Sequence, residues 1–183
     1  MLTLLHCAPA SDTGSIDLAW FLVEHGADTT AQDKNGLTLL HAASASGSRS
    51  TDLVRFLIQN GTNARLQDKN GSTPLHWHVA STSDSRSVDL VQLLVEYSAD
   101  VMAQDKDKST PLHLALATWL GSVGLVQFLL EHGANATARN KHGWTPLHMV
   151  LRKPQGYVDL AQLLVKPQRQ CNSSGQSQVN PTA

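Results

Sequence analysis

Cysteine is scarce in this chain. There are two in 183 residues, Cys7 and Cys171, at opposite ends. They offer no disulfide framework, which fits a reducing compartment. Charged residues are also few, at 16%, and the formal net charge is -1. That balance points to neither a strongly basic nucleic-acid binder nor an acidic tail. No apolar run approaches the roughly 18 residues that a membrane-spanning helix needs. The opening segment, Met1 to Ala10, lacks a basic leader and a hydrophobic stretch of signal-peptide length. There is no Gly-x-Ser-x-Gly elbow, no Walker-type phosphate loop, no dinucleotide fingerprint and no defensible pair of carboxylates. These gaps leave no case for an enzyme, a cofactor, a nucleic-acid partner or a membrane partner. The setting expected is intracellular, cytoplasm or nucleus.

What the chain has is repetition. Thr3-Leu4-Leu5-His6, Thr38-Leu39-Leu40-His41, Thr73-Pro74-Leu75-His76, Thr110-Pro111-Leu112-His113 and Thr145-Pro146-Leu147-His148 are five copies of one phrase. Their histidines are 35, 35, 37 and 35 residues apart. A period in this range signals stacked units rather than one globular core. Apolar residues make up 41% of the chain, enough for a packed interior.

Each unit carries two helix signals. The threonine hydroxyl can cap the first turn, and proline beside it suits the first helical position. The second helix shows one apolar stripe, as in Leu53, Val54, Phe56 and Leu57, then Leu90, Val91, Leu93 and Leu94. Leu125, Val126, Phe128 and Leu129 repeat it, followed by Leu160, Ala161, Leu163 and Leu164. Ser15, Ser50, Ser87 and Ser122 are its candidate caps. Gly26, Gly61 and Gly133 are placed to close it, since glycine tolerates the left-handed conformation. Tight turns follow at Asp33-Lys34-Asn35-Gly36, Asp68-Lys69-Asn70-Gly71 and Asn140-Lys141-His142-Gly143. The unit is helix, turn, helix, projecting finger.

That order, Thr-Pro-Leu-His, Leu-Val-x-Leu-Leu, Gly-Ala-Asp/Asn, Asp-x-x-Gly, resembles the ankyrin repeat from about Leu2 to Lys166. The resemblance implies an all-α solenoid of helix-turn-helix units with hairpin or loop fingers. It implies a concave groove lined by fingers and first helices, and protein binding without catalysis or cofactor. The array would occupy residues 1–167, with units at about 2–36, 37–71, 72–108, 109–143 and 144–167. The polar segment 168–183 is expected to be disordered. Neither end shows the polar outer face that a terminal unit needs, which implies a piece, or a truncated relative, of a longer array that resembles those of fungal multidomain proteins and whose ends would contact further repeats or another domain. An accessory module of a larger enzyme or signalling receptor is the competing class.

Departures from the family pattern carry expectations of their own. The additional residues fall in the inter-helix turns. Ser98 and Lys108 replace a helix-closing and a finger glycine, which predicts an irregular third unit. Pro9 should shorten or kink the first helix of the first unit.

The five repeated histidines would stand about 10 Å apart, too far to share one metal. Each is expected to bond backbone between adjacent units. His76-Trp77-His78 is the one local cluster, but neighbours in a helix do not share a face. No metal site is expected. The groove implied by the resemblance draws Lys34, Leu37, Lys69, Ser72, Lys106, Ser109, Lys141 and Trp144 from the fingers. The first helices supply Ala45, Ser46, Ala80, Ser81, Ala117, Thr118, Arg152 and Lys153. The four lysines form either a basic row or an ordinary solvated turn whose charge Asp33, Asp68 and Asp105 cancel. Trp144 faces the groove as a hot spot or packs on its neighbouring finger. Trp77 is expected between first helices. Trp20, on an otherwise polar face, reads as exposed or covered by something beyond this chain, and Trp119 poses the same question.

Overall fold

The computed structural model of the chain describes residues 13–46, 50–81, 87–117, 122–152 and 157–165. Among them all regular structure is helical. A lone α1 (Thr13–Glu24) is followed by four helix pairs: α2 (Leu39–Ala45) with α3 (Thr51–Gln59), α4 (Pro74–Ser81) with α5 (Ser87–Glu96), α6 (Pro111–Ala117) with α7 (Val123–Glu131), and α8 (Pro146–Leu151) with α9 (Val158–Val165). First helices stack in sequence, α2 on α4 on α6 on α8. Second helices also contact along the array, α1 with α3, α5 with α7, and α7 with α9.

Helices this short are marginal alone and are held by burial against neighbours. The leucine of the repeated phrase is fully buried at Leu40, Leu75 and Leu112. Leu53, Leu57, Leu90, Leu94, Leu125, Leu129 and Leu160 are buried from the second helices. Each such side chain contributes about 1.5–3 kcal/mol. The interior is thus a row of equivalent layers, as the apolar stripe predicts.

The starts of the helices follow the sequence in part. Thr38 is extended at the N-cap of α2, and its hydroxyl accepts from the His41 amide. Pro74, Pro111 and Pro146 each open a first helix. The serine caps are corrected. Ser50 and Ser122 occupy N-cap positions without the capping bond. The Ser50 hydroxyl instead donates to the Ala43 carbonyl, tying α3 back to α2. Ser15 and Ser87 lie inside α1 and α5 rather than ahead of them.

The closures hold. Gly26, Gly61 and Gly133 have φ of 83°, 86° and 92°. Ser98 and Lys108 adopt the same left-handed conformation, at φ 68° and 55°. The irregularity expected of the third unit is absent there. The Ser98 amide still bonds Val95 O at 2.9 Å, and the Lys108 amide bonds Asp105 O at 2.8 Å. The hydrogen bonds outweigh the steric cost of a side chain at positive φ, which is about 1 kcal/mol.

Trp20 is half-buried and stacks on Phe56, with ring centroids 4.3 Å apart and planes 9° apart. The second helix of the following unit, α3, thus covers one face of the ring from within the chain. At the far end Leu151 is 72% exposed, whereas its counterpart Leu116 is fully buried. Among the described residues no helix pair stacks beyond α8 and α9. The first copy of the phrase with Cys7 and Pro9, most of the inter-helix turn residues with Trp119, and residues 166–183 with Cys171 lie outside the described residues.

Candidate functional site

The fingers are built by one repeated device. The Asp33 side chain accepts from the amides of Asn35 at 2.7 Å and Leu37 at 2.8 Å. Asp68, Asp105 and Asn140 hold their own turns in the same way. These turns give Asx side chains a local use that few other residues could fill. Successive fingers are then joined by backbone. The amides of Lys69, Lys106 and Lys141 donate to the carbonyls of Asn35, Asn70 and Asp107, each at 2.8 Å. Gly36 and Gly71 lie against the following finger, where an added Cβ would stand 3.0 Å and 3.2 Å from backbone atoms. The tips form one continuous surface rather than four independent loops.

The repeated histidines pin the fingers to the first helices. His41 Nε2 donates to Ser72 O at 3.1 Å, His76 Nε2 to Ser109 O at 3.2 Å and His113 Nε2 to Trp144 O at 3.1 Å. In each, Nδ1 accepts from the amide and hydroxyl of the preceding threonine. The bonding fixes the neutral tautomer with its proton on Nε2. The imidazoles therefore serve structure, one per junction. Among the described residues His148 makes only the threonine contacts, and it is exposed. His76, Trp77 and His78 diverge. His78, fully buried, donates from Nδ1 to Ser44 O on α2 at 3.0 Å. Trp77 is corrected: it is half-buried, and its indole N–H reaches Asp68 Oδ2 of its own finger at 3.0 Å rather than packing between first helices. Among the described residues, no group of His, Cys, Asp and Glu converges as a metal site.

Burial holds the His41, His76 and His113 imidazoles below the ordinary value of 6.5, against smaller upward pulls from their carbonyl partners. As pH falls through about 6.5 the unfolded chain takes up protons that the folded chain refuses. Their stabilising effect is complete above that value and is lost on acidification toward the folded pKa values. The thermal midpoint is expected to fall between about pH 7.5 and about pH 5.5, with proton uptake on unfolding in that window. A calorimetric midpoint that holds or rises would contradict the neutral junction.

The finger candidates lie where the sequence puts them. Lys34, Lys69, Lys106 and Lys141 are exposed at the tips, and Leu37, Ser72, Ser109 and Trp144 are half-buried behind them. The acids beside the lysines serve mainly the backbone. The single ion pair among the described residues is Lys141 with Asp107, at 2.6 Å and well exposed, a geometry worth little by itself. On the first helices, Ala80, Ser81, Ala117 and Arg152 are exposed, while Ala45 and Ser46 are half-buried. The Ser46 and Ser81 hydroxyls are turned inward, to Ala42 O and His78 O. Thr118 and Lys153 lie outside the described residues.

Trp144 joins the two sets. The Arg152 guanidinium at the end of α8 lies 4.3 Å from the centroid of the Trp144 ring. His142 flanks the same ring at 5.5 Å, tilted by 41°. Sequence reasoning placed Trp144 and Arg152 on one surface but not in contact, and it overlooked His142. It also missed Arg139, whose Nη1 donates to Gly143 O at 3.0 Å. A second omission is a glutamine ladder, with the amides of Gln32 and Gln67 reaching Gln67 O and Gln104 O at 3.4 Å. The signal for both was present, since Gln32, Gln67, Gln104 and Arg139 hold one register in successive units.

No helix among the described residues is long and apolar enough to cross a membrane. A comparison with curated proteins finds no match. The family model for ankyrin repeats, in three copies, matches residues 4–105 and again residues 77–174. The tandem helix pairs, their glycine closures and these matches over most of the chain agree, and the chain belongs to the ankyrin-repeat family, a family of non-catalytic protein-interaction scaffolds.

Proposed function

We propose that the array holds a protein partner along a groove formed by its finger tips and the exposed ends of its first helices. The observation that supports this best is the Trp144–Arg152 contact, which joins a finger residue to a first-helix residue on one face. The linked fingers make that face largely preformed, so binding forfeits little conformational entropy. Lys34, Leu37, Lys69, Ser72, Lys106, Ser109 and Lys141 extend it along the fingers. Ala45, Ser46, Ala80, Ser81, Ala117, Thr118, Arg152 and Lys153 supply its helical side. The small side chains at Ala45, Ser46, Ala80, Ser81 and Ala117 leave room for a partner. The reading takes the array as five units over residues 1–167, followed by a polar tail, in a reducing compartment.

Trp144→Ala is expected to weaken capture of a specific partner by about 2 kcal/mol, on the order of thirtyfold. A pull-down comparing the native chain with this variant reads it directly. Undiminished capture of every specific partner would remove Trp144 as the anchor. The second reading, an accessory module of a larger enzyme or receptor, draws on the exposed end face of Leu151, Val158 and Val165. Sequence flanking the chain separates the two.

A further inference from the structure

Charge is unevenly divided along the array. Residues 1–104 hold eleven aspartates and glutamates against six lysines and arginines, while residues 105–183 hold four against eight. Three of those four acids are already engaged. Asp105 accepts the amides of Asp107 and Ser109, Asp107 pairs with Lys141, and Glu131 on α7 accepts from Gln127. The fourth, Asp159, sits on the second helix α9. The basic residues of this half reach the fourth finger at Lys106 and Lys108 and gather around one ring on the fifth. Arg139, Lys141, His142 and Arg152 surround Trp144, tied to it or to its turn by the contacts given above.

Arg152 is the centre of this platform. Its guanidinium lies over the indole and is exposed, and among the described residues no carboxylate pairs with it. Stacking restrains a planar group while leaving its N–H edge open to solvent. That edge matches a carboxylate in two parallel hydrogen bonds, and the orientation is set before the ligand arrives. The neighbouring Arg139 and Lys141 raise the local attraction for an anionic chain.

We propose that the fifth finger and the end of α8 form a docking site for an acidic peptide segment of a partner protein, with one carboxylate seated on Arg152 and an adjacent apolar side chain against Trp144. This rests on the groove reading above and names the chemistry of what enters it. A nucleic acid fits less well. One face of the single aromatic is taken by Arg152, which leaves no series of rings for successive bases.

The test uses the full chain and four labelled probes: a short synthetic peptide alternating glutamate with leucine, its glutamine and lysine counterparts, and a single-stranded RNA. Fluorescence anisotropy gives affinities, and amide chemical shifts locate the site. The glutamate peptide is expected to bind, to lose affinity with added salt, to exceed the glutamine peptide by about tenfold or more and to shift residues 139–144. Arg152→Gln should abolish that advantage, and Arg152→Lys should restore only part of it, because charge returns without the planar fork. Equal binding of the glutamine peptide, preference for RNA, indifference to Arg152→Gln, or no binding by any probe would each overturn the proposal. Large side chains placed at Ala80 and Ala117 distinguish the two levels. A partner lost on those variants but retained on Arg152→Gln overturns this inference and leaves the groove reading standing. A partner retained on all of them removes both.

Discussion

His76→Ala is expected to lower the free energy of unfolding by about 3 kcal/mol, the combined effect of lost hydrogen bonds and a cavity. The imidazole is 1% exposed and links three groups in two units. Its Nε2 holds Ser109 O, and its Nδ1 accepts from the Thr73 amide and hydroxyl. Alanine leaves the Thr73 amide without its partner in a residue that is itself 2% exposed. An abandoned buried donor is costlier than the average hydrogen bond is favourable. His148→Ala is the internal comparison. It removes the same threonine contacts from an exposed site whose Nε2 holds no carbonyl among the described residues, and about 1 kcal/mol is expected there. Denaturant titration should also show a smaller m-value for His76→Ala, because weakening one junction uncouples the units on either side. Equal losses for the two variants, with unchanged m-values, would mean that the imidazole does not join units.

The architecture was legible because repetition amplifies weak signals. One Thr-Pro-Leu-His is a short match, but the same phrase at a fixed interval reports stacking, and the junction role of His41, His76 and His113 followed from it. Side-chain direction was less legible. Spacing says which face of a helix Trp77 occupies, not whether its indole turns toward the next helix or back to Asp68. The cap serines failed for a related reason: a hydroxyl ahead of a helix can satisfy the helix or, as at Ser50, a carbonyl seven residues back. Trp20 read as uncovered because its partner Phe56 belongs to the next unit's stripe and not to its own. The pairing of Trp144 with Arg152 crosses from finger to helix end, a separation that no helical or strand periodicity encodes. Of the candidate surface, then, position was readable and contact was not.

The finger row offers the second large effect, and it decides whether the candidate surface is rigid. Gly36 has φ 78°, and a Cβ there would stand 3.0 Å from Lys69 N and 3.1 Å from Asp68 Cα, backbone atoms that cannot swing aside. Gly143 has nearly the same conformation, φ 74°, with nothing within 4 Å of its Cβ position. Alanine at Gly143 therefore meets only the left-handed penalty, about 1 kcal/mol. Alanine at Gly36 meets that penalty and must also push two fingers apart, straining the Lys69 to Asn35 bond, for a total of about 3 kcal/mol. Gly71→Ala should behave like Gly36→Ala, since its Cβ would lie 3.2 Å from Asp105 Cα and Lys106 N. Lys108, the counterpart at the next junction, keeps a side chain at φ 55° with the bond from Lys141 to Asp107 O at 2.8 Å, so the position itself accepts a Cβ and the excess expected at Gly36 rests on its 3.0 Å approach alone. Denaturant midpoints for the three alanine variants, with amide exchange at Lys69, Lys106 and Lys141, measure the difference. If Gly36→Ala and Gly143→Ala cost the same, the fingers are not tightly apposed, and the preorganised surface on which the proposed partner binding rests gives way to loops that a partner would have to order itself.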